Sequence, residues 1–153
     1  MAGLKLKIDG VDKLIKELQK LGSEATAKKI ARRAATAAIR PMRSAARALV
    51  PSDTGSLKKS IASKVSVKGY GISAIVGSDT SVLKTGEKAS EPDEGPRAAR
   101  TLALTLFGHV SPGGKVIPGN NFLAEAYEQS ASEAQQIFAD KLEEGIWKEI
   151  GGG

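Results

Sequence analysis

Leu4, Leu6 and Ile8 alternate with Lys5, Lys7 and Asp9. A period of two sends one set of side chains to a core and the other to water, so the pattern predicts an N-terminal strand. Gly10 breaks it, and Val11, Leu14, Ile15, Leu18 and Leu21 then recur at helical spacing until Gly22. Ser23 is placed to cap a second, long helix over 23–50. Its apolar positions run through Ala27, Ile30, Ala31, Ala34, Ala35, Ala38, Met42, Ala45, Ala46 and Leu49. This face is mostly alanine, which lets a neighbouring element approach closely. Pro41 removes one backbone hydrogen bond and predicts a kink near 37–41, and Pro51 ends the helix.

The second half of the chain predicts a hairpin over 60–77, with Ile61, Val65 and Val67 on one strand, a turn at Lys68–Gly71, and Ile72 to Gly77 on the return. Residues 78–100 carry no apolar period and read as a long loop. Segments of that kind inside compact domains are usually functional or disordered. Thr101 to Phe107 is apolar and fits a third strand or a short helix. A turn-rich stretch over 108–121 leads into a final helix over 122–149. Its apolar positions are Phe122, Leu123, Ala126, Tyr127, Ala134, Ile137, Phe138, Leu142, Ile146 and Trp147. The expected fold class is α+β. A small antiparallel sheet, made of the hairpin, a strand near 101–107 and the N-terminal strand, is packed by the long kinked helix and the C-terminal helix. With 153 residues, one domain over 1–150 is expected, followed by a flexible glycine tail at 151–153.

Charge position changes this picture more than total composition does. The net charge is +6, but residues 24–50 hold seven cations against Glu24 alone, while residues 121–153 hold seven carboxylates against Lys141 and Lys148. Opposed blocks suit pairing within a fold or between subunits and weaken a simple nucleic-acid reading. No cysteine is present, which excludes thiol catalysis and cysteine-ligated zinc, and the single histidine, His109, excludes a histidine-rich metal site. No cofactor is expected. No apolar run reaches the roughly 20 residues of a bilayer span. The start lacks the apolar stretch of a secretory signal, so the expected location is a cytoplasm, left only by lysis.

Asp53-Thr54-Gly55 spells the triplet of aspartic proteases, a chemistry that needs the aspartate at the tip of a buried strand and paired with a second carboxylate. Here it follows a helix end and precedes lysines, so a structural turn is the better reading, with Gly55 supplying an unusual backbone conformation. Gly108 to Lys115 misses the phosphate-loop spacing by one residue and lacks the following Ser or Thr. The cations of the long helix could neutralise several phosphates. Six aromatic residues in the whole chain provide little base stacking, and no DNA-binding motif is present. A basic DNA-binding or DNA-compacting protein is therefore the alternative reading.

One combination of residues is specific. Val11-Asp12-Lys13-Leu14 opens a helix, and the long basic helix ends in Val50-Pro51-Ser52-Asp53-Thr54-Gly55-Ser56-Leu57-Lys58-Lys59-Ser60-Ile61. Leu106-Phe107-Gly108-His109, Pro118 and Asn121-Phe122-Leu123 follow. This resembles the tail-completion, or head–tail joining, proteins of long-tailed bacteriophages. Leu106 stands where that family often has Glu, and Asn121 where it usually has Pro. The resemblance implies a non-enzymatic virion protein that forms a ring in the neck. The ring would match the sixfold symmetry of the tail and lie between a head-closure or connector protein and a tail terminator or tail tube protein. Genomic DNA could pass nearby in the lumen. On this reading Pro51, Asp53, Thr54, Gly55 and Leu57 fix the junction of long helix and sheet. Arg32, Arg33, Arg40, Arg43 and Arg47 are candidates for subunit or lumen contacts. Val82 and Leu83, the large aliphatic residues of the long loop, would dock on a neighbour.

Overall fold

The computed structural model describes residues 3–7, 23–51, 55–68, 71–79, 81 and 98–151. The expected first helix (11–22), Asp53, Thr54, Val82 and Leu83 lie outside them. Strand β1 (Gly3–Lys7) is where the lysine alternation puts it. Helix α1 (Glu24–Leu49) follows, with Ser23 at its N-terminus. The Thr26 amide donates to Ser23 Oγ at 3.2 Å, satisfying one of the free amides of the first turn. Pro41 lacks the amide that would bond one turn back, yet the helix continues to Leu49.

Gly55 has φ 68 and begins the short helix α2 (Ser56–Ser60). Strands β2 (Ile61–Lys68) and β3 (Gly71–Ser78) form the expected hairpin. The three-stranded sheet runs β1-β3-β2, so β3 is central. Ser78 closes β3 and is fully buried, and residues 98–100 belong to the next helix, so the expected loop 78–100 loses both its ends.

The expected strand near 101–107 is instead helix α3 (Ala98–Phe107). A seven-residue apolar run is ambiguous by period alone, and alanine and leucine favour the helix. In that state Thr105 Oγ1 donates to the Thr101 carbonyl one turn back, at 2.9 Å. A second, two-stranded sheet joins β4 (His109–Val110) to β5 (Val116–Ile117), antiparallel, with Val110 opposite Val116. Helix α4 (Phe122–Ile150) closes the chain. Asn121 caps it in place of proline: the Ala124 amide lies 3.4 Å from Asn121 Oδ1 and 3.0 Å from its carbonyl. Trp147, expected on the apolar stripe, is 62 % exposed and donates through Nε1 to Glu143.

The chain gathers into two compact units. One comprises Met1–Leu4, Arg43–Ala62 and Val76–Gln129. In it α2 packs on α3, and Leu57, Ile61, Val76, Leu102 and Phe122 are buried. Ser60 Oγ donates to the Leu57 carbonyl and shares a 2.7 Å hydrogen bond with Ser78 Oγ, so both buried hydroxyls are satisfied. The other unit comprises Lys5–Met42, Ser63–Ile75 and Ser130–Gly153. Its core sets the alanine face of α1 (Ala27, Ala31, Ala34, Ala35, Ala38) and Ile30 against Phe138 and Leu142 of α4, with Val65 and Ile72 of the sheet at its margin. A Cβ added to Gly145 would lie 2.5 Å from Ile30 Cγ2, so glycine is what permits this approach.

Candidate functional site

Of the expected turn residues, Gly55 adopts the left-handed backbone its position requires, Leu57 is buried and Pro51 is exposed. Arg47 is drawn into the fold: its Nε donates to the Ile61 carbonyl at 2.9 Å, tying the last turn of α1 to the first residue of β2. With Gly55, Lys58 and Lys59 it lines an open groove of 450 Å³. Arg43 is half-buried, whereas Arg32, Arg33 and Arg40 are exposed. No hydrogen bond or ion pair joins these three side chains to a described residue.

Apolar residues fill one side of α1, which leaves its cations on the other. Lys29 and Arg33 reach across from α1 to the end of α4 and line a 280 Å³ cleft with Lys141, Glu144, Lys148 and Glu149. Glu144 is held by two lysines, Lys141 Nζ at 2.5 Å and Lys148 Nζ at 2.6 Å. Their hydrogen bonds and charges pull its carboxyl down from 4.5 to about 2, so it stays ionised. Four cations thus surround two carboxylates. A shallower concavity on the other side of Lys29 and Arg33 adds Lys28, Arg32 and Val67. The opposite charge lies on the exposed face of α4, where Glu133, Asp140 and Glu143 stand clear of the core. Among the described residues, no ion pair links these carboxylates to the cations of α1.

The apolar patch around the small hairpin is not apparent in the sequence. Phe107 is 84 % exposed, with Val110 and Val116 also open to solvent. Gly108 has φ +74, and a Cβ there would meet the Ile117 carbonyl oxygen at 2.5 Å. The hairpin base is therefore closed tightly, which holds these side chains outward. In the sequence the Phe107-Gly108 and Pro118-Gly119 pairs mark the tight hairpin base and not the exposure of its apolar side chains. The stretch Gly108–Lys115 forms this hairpin and its turn, with the Ser111 amide bonded to the Lys115 carbonyl at 2.9 Å, and makes no phosphate loop. His109 Nδ1 is buried and has no hydrogen-bond partner among the described residues.

Among the described residues no three His, Cys, Asp or Glu side chains converge on a metal site, and no helix is long and apolar enough to cross a membrane. The fold and its surfaces define a small α+β protein whose distinctive features are charged helix faces and an exposed apolar hairpin. Residues 12–95 match the family model described as "Bacteriophage HK97-gp10, putative tail-component", and the chain belongs to this HK97-gp10-like family. No curated protein and no solved structure matches the chain.

Proposed function

We propose that this phage tail component is a non-enzymatic ring-forming protein of the virion neck, which completes the tail and joins it to the filled head. Family membership supports the tail assignment. The observation that carries the ring is the exposure, in one compact unit, of a cationic and an anionic helix face that do not pair with each other. Such a surface is complementary to a copy of itself in a head-to-tail arrangement, and head-to-tail contacts that close generate rings. Sixfold closure would match the tail. The ring's two ends would then meet a head-closure or connector protein and a tail terminator or tail tube protein.

A nonsense mutation in the gene tests this. Lysates should contain filled heads and separate tails, and adding the purified protein should join them and restore infectivity. Joined, normal virions without the protein would refute the reading. Heads that fail to fill or retain DNA, with no free tails, would support the DNA-compacting alternative instead.

A further inference from the structure

We infer that the ring is held by one specific helix-to-helix seam between copies, in which the cationic edge of α1 (Lys29, Arg33, Arg40) lies along the anionic edge of α4 (Glu133, Asp140, Glu143) of the next copy. This rests on the ring reading above and names the surface that builds it.

The register of the two edges carries the inference. At 3.6 residues per turn, Lys29, Arg33 and Arg40 fall within about 40° of one another around α1, and Glu133, Asp140 and Glu143 within about 80° around α4. Along the axis the first set spans about 16 Å and the second about 15 Å, at 1.5 Å per residue. Two helices lying antiparallel can therefore set Lys29, Arg33 and Arg40 opposite Glu143, Asp140 and Glu133, three charge pairs along about three turns. All six side chains are exposed. None makes an ion pair with a described residue, and the one side-chain hydrogen bond among them is that of Glu143 with Trp147.

The cationic edge is also recessed. Lys29 and Arg33 form one wall of the 280 Å³ cleft, with Lys141 and Lys148 on the other wall. Glu144 is already committed to those two lysines, so it does not neutralise Lys29 or Arg33. Glu144 and Glu149 balance Lys141 and Lys148 on the α4 wall, so a carboxylate entering the cleft meets its excess positive charge on the α1 wall, at Lys29 and Arg33. Duplex DNA is the poorer occupant, because the same compact unit carries the anionic α4 edge, which repels phosphate.

Charge reversal with rescue by mixing tests the seam. Arg33→Glu/Arg40→Glu reverses one edge and Glu133→Lys/Asp140→Lys the other. Sedimentation of the full chain should show self-association of the wild type that weakens as salt rises from about 0.1 to about 1 M, where the Debye length falls from about 10 to about 3 Å. Each reversed variant alone should associate at least about tenfold more weakly. Several pairs must act together for this, since exposed pairs are individually weak. An equimolar mixture should regain assembly, because an alternating ring makes every seam complementary again. Circular dichroism should show both variants folded, as the altered residues are exposed.

Variants that assemble like wild type would overturn the seam while leaving the ring reading intact. Two folded variants that remain dissociated when mixed would overturn it as well. A wild type that is monomeric without DNA, but binds duplex through Arg33 and Arg40, would overturn it in favour of a DNA-facing helix. Head–tail joining is judged separately, by the nonsense-mutant lysate.

Discussion

Gly145 offers the sharpest test of how the α1–α4 packing is made. It lies inside a helix, where replacing glycine by alanine ordinarily stabilises by about 1 kcal/mol. Here the added methyl would sit 2.5 Å from Ile30 Cγ2 and 3.4 Å from Ile30 Cβ and Cγ1. Ile30 is 8 % exposed and β-branched, so Cγ2 cannot swing aside without the whole side chain leaving its χ1 well. Forcing one carbon into such a contact typically costs about 1–3 kcal/mol. Gly145→Ala should therefore destabilise by about 0–2 kcal/mol, the overpacking less the helical gain. The double-mutant cycle isolates the cause. Ile30→Ala alone should cost about 2–5 kcal/mol, but it removes Cγ2 and Cγ1 and leaves the nearest remaining contact at 3.4 Å. In that background Gly145→Ala should stabilise by about 1 kcal/mol. Urea unfolding of the four proteins measures the coupling directly. If Gly145→Ala stabilises equally in both backgrounds, Ile30 does not limit the approach and the close packing of the two helices is wrong.

Three further outcomes are expected. Gly119→Ala should disrupt the β4–β5 hairpin and lower stability by more than about 2 kcal/mol, because its Cβ would strike the backbone of Leu106, Phe107 and Gly108; an unchanged melting temperature would contradict this. Ser60→Ala should cost about 1–3 kcal/mol, since it strips the buried Ser78 hydroxyl of its 2.7 Å partner; adding Ser78→Ala should recover part of the loss in thermal melts. For Glu144, the carboxyl's fall from 4.5 to about 2 means the folded state holds it ionised where the unfolded chain begins to protonate. Its contribution is present above about 4.5 and is lost as pH falls towards 2. Glu144→Gln should therefore flatten the acid-side decline of the melting temperature across that window, and an identical decline would show that the lysine clamp adds nothing.

The α1 helix, its cap and its apolar face were legible in the sequence, because a 3.6-residue period sustained over 26 residues has no competing interpretation. The hairpin was legible for the matching reason at period two. The run 101–107 was not, since Leu102, Leu104 and Leu106 also alternate like a strand, and only the helix gives Thr105 its bond to Thr101. Arg47 shows a second limit. By sequence it belongs with the other cations of α1, but it sits at the end of the helix, where the Ile61 carbonyl is in reach. The apolar surface at Phe107 was hidden because exposure is set by tight contacts at Gly108 and Gly119 rather than by a local pattern. The charge blocks were plain from composition along the chain, whereas their failure to pair within one copy required coordinates.

That failure has an energetic consequence. Lys28 and Arg32, Lys29 and Arg32, Lys29 and Arg33, Arg40 and Arg43, and Arg43 and Arg47 stand three or four residues apart on one side of α1. Like charges at that spacing each cost about 0.2–0.5 kcal/mol at low salt, so the five pairs together oppose the helix by about 1–2.5 kcal/mol. Among the described residues the local relief is one ion pair, Lys28 with Glu24. Burial of the alanine face offsets the repulsion and keeps the helix formed, but it does nothing to neutralise the outer face. Among the described residues nothing else neutralises that face, and ions or a partner can. A partner that brings three carboxylates at matching spacing removes the repulsion along the whole edge at once, whereas mobile counter-ions screen it only diffusely. The alanine face and the cationic face are thus complementary parts of one arrangement: the first fixes α1 in its own fold, and the second gives it a reason to be covered.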